Sequence, residues 1–133
     1  MGYERMAEQM GVRIHYKRPP NGWWGAWDPD RRHILIHPDL GYIQRRSTAW
    51  HELGHAYYEH VGCNPKQELQ ARTWAARHLI RTQAFIDAAR ITDDLISIAH
   101  RLHVMPDDVR AWEKSLTLEE LIHIRKEING HTD

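Results

Sequence analysis

From near residue 48 the apolar and polar positions keep a helical period, and that change separates a beginning that carries the strands from a helical remainder. Tyr3, Met6, Ala7 and Met10 fall at helical spacing and predict a short amphipathic helix over 3–10 that Gly11 stops. Val12 to Tyr16 alternates like a half-buried strand and runs into Pro19-Pro20-Asn21-Gly22, a strong turn signal. Trp23 to Trp27 and Arg32 to His37 flank Asp28-Pro29-Asp30, which predicts a hairpin. In the second of these strands Ile34 and Ile36 share one face, while His33, Leu35 and His37 share the other. Proline in His37-Pro38-Asp39 closes the sheet, because it cannot continue the ladder.

From about Thr48 the spacing turns helical, with Ser47 or Thr48 as N-cap and an end near Gly62. After Asn64-Pro65 a second helix is expected from about Lys66 to Arg81. Further helices follow over 83–90, 92–103 and 107–114, and a last one runs from Leu118 to Ile128 after Thr117. Residues 129–133 read as a frayed tail. The expected fold class is α+β, a small antiparallel three-stranded sheet followed by a helical bundle. One domain over 1–133 is expected, with the sheet in 1–40, a central helix pair in 41–81 and C-terminal helices in 82–133.

Composition narrows the function classes. With 133 residues, 41% of them hydrophobic, the chain can bury one core without staples. Its formal net charge is zero, so no global field draws it to nucleic acid or to an anionic membrane. Cys63 is the single cysteine, which excludes an internal disulfide and fits a reducing compartment. The opening residues carry no apolar core of signal-peptide length and no run approaches a membrane span, so a cytoplasmic location is expected.

Chemistry concentrates in His51-Glu52-Leu53-Gly54-His55. Two histidines four apart on a helix share a face and reach one tetrahedral zinc ion, while the glutamate beside the first stands next to the metal's water as a general base. A catalytic zinc takes three protein ligands, and the following helix offers Glu68. Ala71 and Ala75 lie along the same face as Glu68, and small residues there let two helices approach closely. Gly54, inside the motif, argues for the same close approach, since glycine in a helix interior costs about 1 kcal/mol relative to alanine.

The frame Arg45-Arg-Ser-Thr-Ala-Trp-His-Glu-Leu-Gly-His55, followed by Glu-x-x-Ala-x-x-Trp-Ala-Ala from Glu68, resembles the ImmA/IrrE family of metallopeptidases over roughly residues 12 to 80. The resemblance implies His51, His55 and Glu68 as zinc ligands and Glu52 as catalytic base. It also implies hydrolysis of a peptide bond by a zinc-activated water, and a regulatory protein as substrate, commonly a repressor of a mobile element or stress response. The chain resembles a minimal, phage-borne type of member. It departs from the family pattern at Arg72, where an asparagine or aspartate is usual, and at Leu79-Ile80-Arg81, where the family has Leu-Met-Pro. Arginine is purely a donor and cannot accept the hydrogen bond that would orient a metal-bound histidine. An extended peptide is expected along an exposed edge of the sheet.

Other residues carry weaker expectations. His60, nine residues after His51, falls on the wrong side of the helix to be a ligand, and Cys63 reads as a small buried or turn residue. Tyr58, His78 and His37 are alternative candidates for stabilising an oxyanion. Trp23, Trp24 and Trp27 cluster where they could wall a substrate, while Arg31-Arg32 and Arg45-Arg46 read as solvated surface. Residues 98–112 match helix-turn-helix spacing with His103 at the turn, but Asp93, Asp94, Asp107, Asp108 and Glu113 outnumber the basic residues of 92–114, against DNA as a partner. The competing reading is a zinc-containing regulator or toxin-like protein that binds a partner without cleaving it, or a DNA-associated regulator through 92–114. Glu52 argues against a purely structural zinc, which needs no base.

Overall fold

The computed structural model describes residues 2–130. The chain divides into two compact units, 1–75 and 76–133, with the boundary inside the third helix. Among the described residues there are seven α-helices and one three-stranded sheet, an α+β fold.

The first unit opens with α1 (Tyr3–Gln9) and β1 (Arg13–His15), continues through a short 3-10 turn at Pro20–Gly22, and then forms β2 (Gly25–Asp28) and β3 (His33–Ile36). The hairpin forms as the sequence indicates. The Asp28 carboxylate accepts from the backbone N–H of Asp30 (3.0 Å) and Arg31 (3.3 Å), and Arg32 adopts φ 54°. The sheet itself is mixed rather than antiparallel. Its order is β1-β3-β2, with β1 parallel to β3 in the register Ile14↔Ile34 and β2 antiparallel to β3 in the register Trp27↔Ile34. The connection over residues 16–24 is long enough to carry the chain past the place that β3 later fills, so the central position goes to the last strand. β3 suits that position because Ile34 and Ile36 are fully buried on one face.

The motif helix α2 runs Tyr42–Tyr57, six residues earlier than Thr48. Neither Ser47 nor Thr48 caps it. Gly41 does, and the Gln44 side-chain oxygen reaches back to the Gly41 N–H at 3.1 Å. The helix also ends before Gly62. Glu59 takes a left-handed φ of 53°, its N–H donates to the Ala56 carbonyl (3.1 Å) and the His60 N–H to the His55 carbonyl (2.9 Å), which is a Schellman termination without glycine. Helix α3 (Pro65–Leu79) starts behind Asn64, whose side-chain oxygen accepts from the Gln67 N–H at 2.9 Å. Ala49, Leu53, Ala71 and Ala75 are buried with the two isoleucines of β3.

The second unit contains α4 (Thr82–Ala89), α5 (Leu95–Leu102), α6 (Pro106–Ser115) and α7 (Leu118–Asn129). Its core is Ile86, Ile98, Val109 and Trp112, with Phe85 and Trp112 ring centroids 4.7 Å apart. Helix α5 begins at Leu95 rather than 92 because Asp94 caps it, accepting from the Ser97 N–H at 2.9 Å. His103 holds the turn between α5 and α6 at φ 56°, so the helix-turn-helix spacing does produce a helix pair. Thr117 caps α7 with Glu120 in a reciprocal pair. Asn129 belongs to α7, and residues 131–133 of the expected tail lie outside the described residues. No described helix is long and apolar enough to cross a membrane.

Candidate metal centre

Helix α2 places Thr48 to Ala56 in the interior, so the motif faces inward with Glu52 and His55 buried and His51 half-buried. Helix α3 brings Glu68 to the same point. Its Oε2 lies 3.0 Å from His51 Nε2 and its Oε1 2.9 Å from His55 Nε2. The approach depends on Gly54, where a Cβ would meet the Ala71 carbonyl oxygen at 2.7 Å and the Ala71 Cα at 2.9 Å. Ala71 is one turn beyond Glu68, so the contact between helix backbones sets the height of the carboxylate.

One donor atom from each of His51, His55 and Glu68 lies within 4.8 Å of the other two. Ligand atoms around a tetrahedral ion with bonds of about 2 Å stand about 3.3 Å apart. The two histidine-to-carboxylate spacings, 3.0 and 2.9 Å, are within a few tenths of an ångström of that, and two imidazole nitrogens with a carboxylate are a donor set suited to zinc. The three residues therefore fit a metal.

Burial and hydrogen bonding tune these groups. Burial, outweighing the neighbouring His51, pushes Glu52 up to about 7 from 4.5, with the Glu68 charge adding to the rise. Burial likewise holds His55 down at about 4, leaving it neutral and able to coordinate at neutral pH. The hydrogen bond from His51 holds Glu68 at about 2. Glu68 is thus charged while Glu52, one motif position from His51, sits near the midpoint of its titration.

A cleft of about 590 Å³ opens over these groups, walled by Trp23, Trp27 and Pro29 on the sheet side and by Cys63 on the loop after α2. Trp24 is exposed and does not line the cleft. Gly25, on β2, admits Glu52: a Cβ there would meet Thr48 Cγ2 at 2.6 Å and Glu52 Cγ at 3.0 Å. Among the described residues no strand pairs with the outer edge of β2.

This arrangement is the one that a match of the whole region to a known family makes interpretable. Residues 2–109 match the IrrE N-terminal-like domain of peptidase family M78. The chain belongs to that family. Neither the curated proteins nor the solved structures include a match. Family membership makes this a metallopeptidase-type domain, and the cluster of His51, His55 and Glu68 is its candidate metal-binding group.

Some candidates fall elsewhere. His37 Nδ1 accepts the Asp39 N–H at 3.1 Å, Tyr58 is exposed and stacks on His60, and His78 is exposed in the last turn of α3. Cys63 is not the small buried residue expected: it lies exposed on the loop between α2 and α3, with Sγ 3.9 Å from Glu68 Oε1. Arg32 is more than solvated surface: it donates to the Met10 carbonyl at 2.9 Å and lies 5.7 Å from the Trp27 ring. His60 is the residue that helical spacing misplaces. The Schellman turn returns it beneath His55, where it is buried with its Nδ1 2.9 Å from His55 Nδ1. No glycine announces that turn, and Glu59 in a left-handed conformation has no sequence signal.

Proposed function

We propose that this protein is a zinc-dependent endopeptidase that cleaves a peptide bond in a regulatory protein of repressor type, with His51, His55 and Glu68 holding the metal and Glu52 as general base. The observation that carries the reading is the buried Glu52 carboxyl beside a three-donor cluster at the floor of an open cleft. Zinc bound there would supply a Lewis acid that polarises the scissile carbonyl and acidifies water. Glu52 takes the proton of the attacking water and returns it to the leaving amine, a task for which a buried carboxyl beside the donor cluster is placed. Gly25 keeps space for that carboxyl to stay in place. The unpaired edge of β2 aligns an extended peptide by strand addition, and Trp23 and Trp27 receive an apolar side chain beside the bond to be cut.

A location in the cytoplasm and a mobile-element setting belong to the same proposal, resting on the family frame and the single cysteine. DNA is not the partner favoured here, because α6 exposes Asp107 and Glu113, charges that repel phosphate. Co-expression of the protein with the product of the neighbouring gene, taken as the candidate repressor, tests the reading. Wild type yields defined fragments and Glu52→Gln yields intact repressor. Identical products from both, with zinc bound in each, sink proteolysis and favour a binding regulator.

A further inference from the structure

We propose that His60 and Gln70 form a positioning relay that holds His55 in the one tautomer able to bind the metal; this rests on the metal reading above. Three contacts run in line from the surface of α3 to the metal cluster. Gln70 Oε1 lies 2.9 Å from His60 Nε2, His60 Nδ1 lies 2.9 Å from His55 Nδ1, and His55 Nε2 faces Glu68 Oε1 at 2.9 Å. An amide oxygen only accepts, so His60 Nε2 carries the hydrogen and donates it. As a neutral imidazole, His60 then has a bare Nδ1, which accepts. His55 must therefore carry its hydrogen on Nδ1, and its Nε2 is left with a lone pair aimed at the cluster. Each hydrogen bond dictates the next.

The opposite polarity needs a different amide orientation: with the hydrogen on His55 Nε2, His60 would donate from Nδ1 and turn a bare Nε2 toward Gln70, which would have to present its NH2 in place of the oxygen that stands at 2.9 Å. Metal binding removes the need for that hydrogen and lets the whole line be satisfied.

The relay is fixed in place by the fold. The His60 N–H donates to the His55 carbonyl (2.9 Å), the His60 carbonyl accepts from Trp27 Nε1 (3.2 Å), and Tyr58 stacks on the imidazole at 5.5 Å with an interplanar angle of 14°. The termination of α2 brings its first outer residue but one, His60, against the helical residue His55, the pair that in a Schellman motif usually makes an apolar contact. Here that contact is a hydrogen bond between two rings. It supplies the acceptor that Arg72 cannot, since arginine has donors alone.

The experiment measures zinc affinity of the full chain by chelator competition, beside the imidazole tautomers by long-range proton–nitrogen NMR. His60→Leu should bind zinc roughly 10–100-fold more weakly, the usual effect of losing an outer partner of a ligand histidine. His60→Asn, whose side-chain oxygen occupies the place of Nδ1, should recover most of the loss. Gln70→Met, near the surface of α3, should weaken binding less than His60→Leu and still reads the relay if His60→Leu does not fold. In zinc-loaded wild type His60 should show hydrogen on Nε2 and a bare Nδ1. Wild-type affinity in both His60→Leu and Gln70→Met, equal weakness in His60→Asn and His60→Leu, or the reverse tautomer overturns the relay. Wild type that binds no zinc sinks the metal site and the relay with it.

Discussion

Gly54 and Ala71 touch backbone to backbone: a Cβ on Gly54 would lie 2.7 Å from the Ala71 carbonyl oxygen, closer than real atoms pack. The contact sits one turn from Glu68 on α3 and one residue from His55 on α2, so it sets the distance between the helices at the height of the metal cluster.

Gly54→Ala tests that spacing. Alanine improves helix propensity by about 1 kcal/mol, but overpacking against a backbone that cannot rotate away costs about 1–3 kcal/mol. The expected result is a modest net loss of stability in urea melts together with reduced zinc retention, because α3 and Glu68 are pushed outward. Unchanged zinc affinity would show that the helices adjust without moving the carboxylate.

Ligand and base separate by metal content. Glu68→Ala leaves two imidazoles and should lose zinc in dialysis against a weak chelator, whereas Glu52→Gln should keep it and lose hydrolysis by about 10²–10⁴-fold. Zinc added at about 100 times its Kd should raise the unfolding free energy of wild type by about 2.7 kcal/mol, and that gain should shrink in Glu68→Ala.

Gly25→Ala should lower turnover while sparing metal affinity. The new methyl would strike Thr48 Cγ2 (2.6 Å) and Glu52 Cγ (3.0 Å), displacing the base and none of the three donors. Thr48→Ser removes the nearest atom, so the double variant should recover activity relative to Gly25→Ala. Equal activity in single and double variants would place the defect elsewhere.

Metal-free stability should depend on pH through two opposed groups. Glu52, raised to about 7 by burial, keeps a proton that the unfolded chain releases near 4.5, so its contribution is lost as pH rises from 4.5 through 7. His55, lowered to about 4, contributes more as pH rises from 4 to 6.5. The two offset each other between about 4.5 and 6.5. Glu68, held at about 2, stabilises above 4.5 and loses that effect as pH falls toward 2. Glu52→Gln removes the first arm alone. In the presence of chelator it should exceed wild type at pH 8 by on the order of 2–3 kcal/mol and match it at pH 4, as read by urea melts. A constant difference between the two pH values would place Glu52 in water.

Local chemistry made much of this legible in the chain. The motif at 51–55, the glutamate at 68 and the small residues at 54 and 71 interact through helical spacing, a property that a sequence displays directly, and the structure brings all of them together. Alternation along 33–37 assigned Ile34 and Ile36 to the interior, where both are fully buried. Thr117 marked the start of α7, where its hydroxyl accepts from the Glu120 N–H.

What the sequence left open depended on groups distant along the chain or on backbone conformations with no residue signature. Periodicity reports which face a strand buries but not its neighbour, so the central place of β3 and its parallel pairing with β1 waited on the path of the 16–24 connection. The Gly41 cap closed by Gln44 stands upstream of the more strongly capping Ser47 and Thr48, and a helix end made by Glu59 lies outside the usual preference for glycine, which is why α2 is displaced at each end. His60 is the clearest case. Its number puts it on the far side of an uninterrupted helix, and one left-handed residue turns it back under His55. The chain by itself displayed the residues that meet in the candidate metal group, because their spacing is a property of one helix and the next. The tertiary structure decided what stands behind them, because that depends on where the first helix stops.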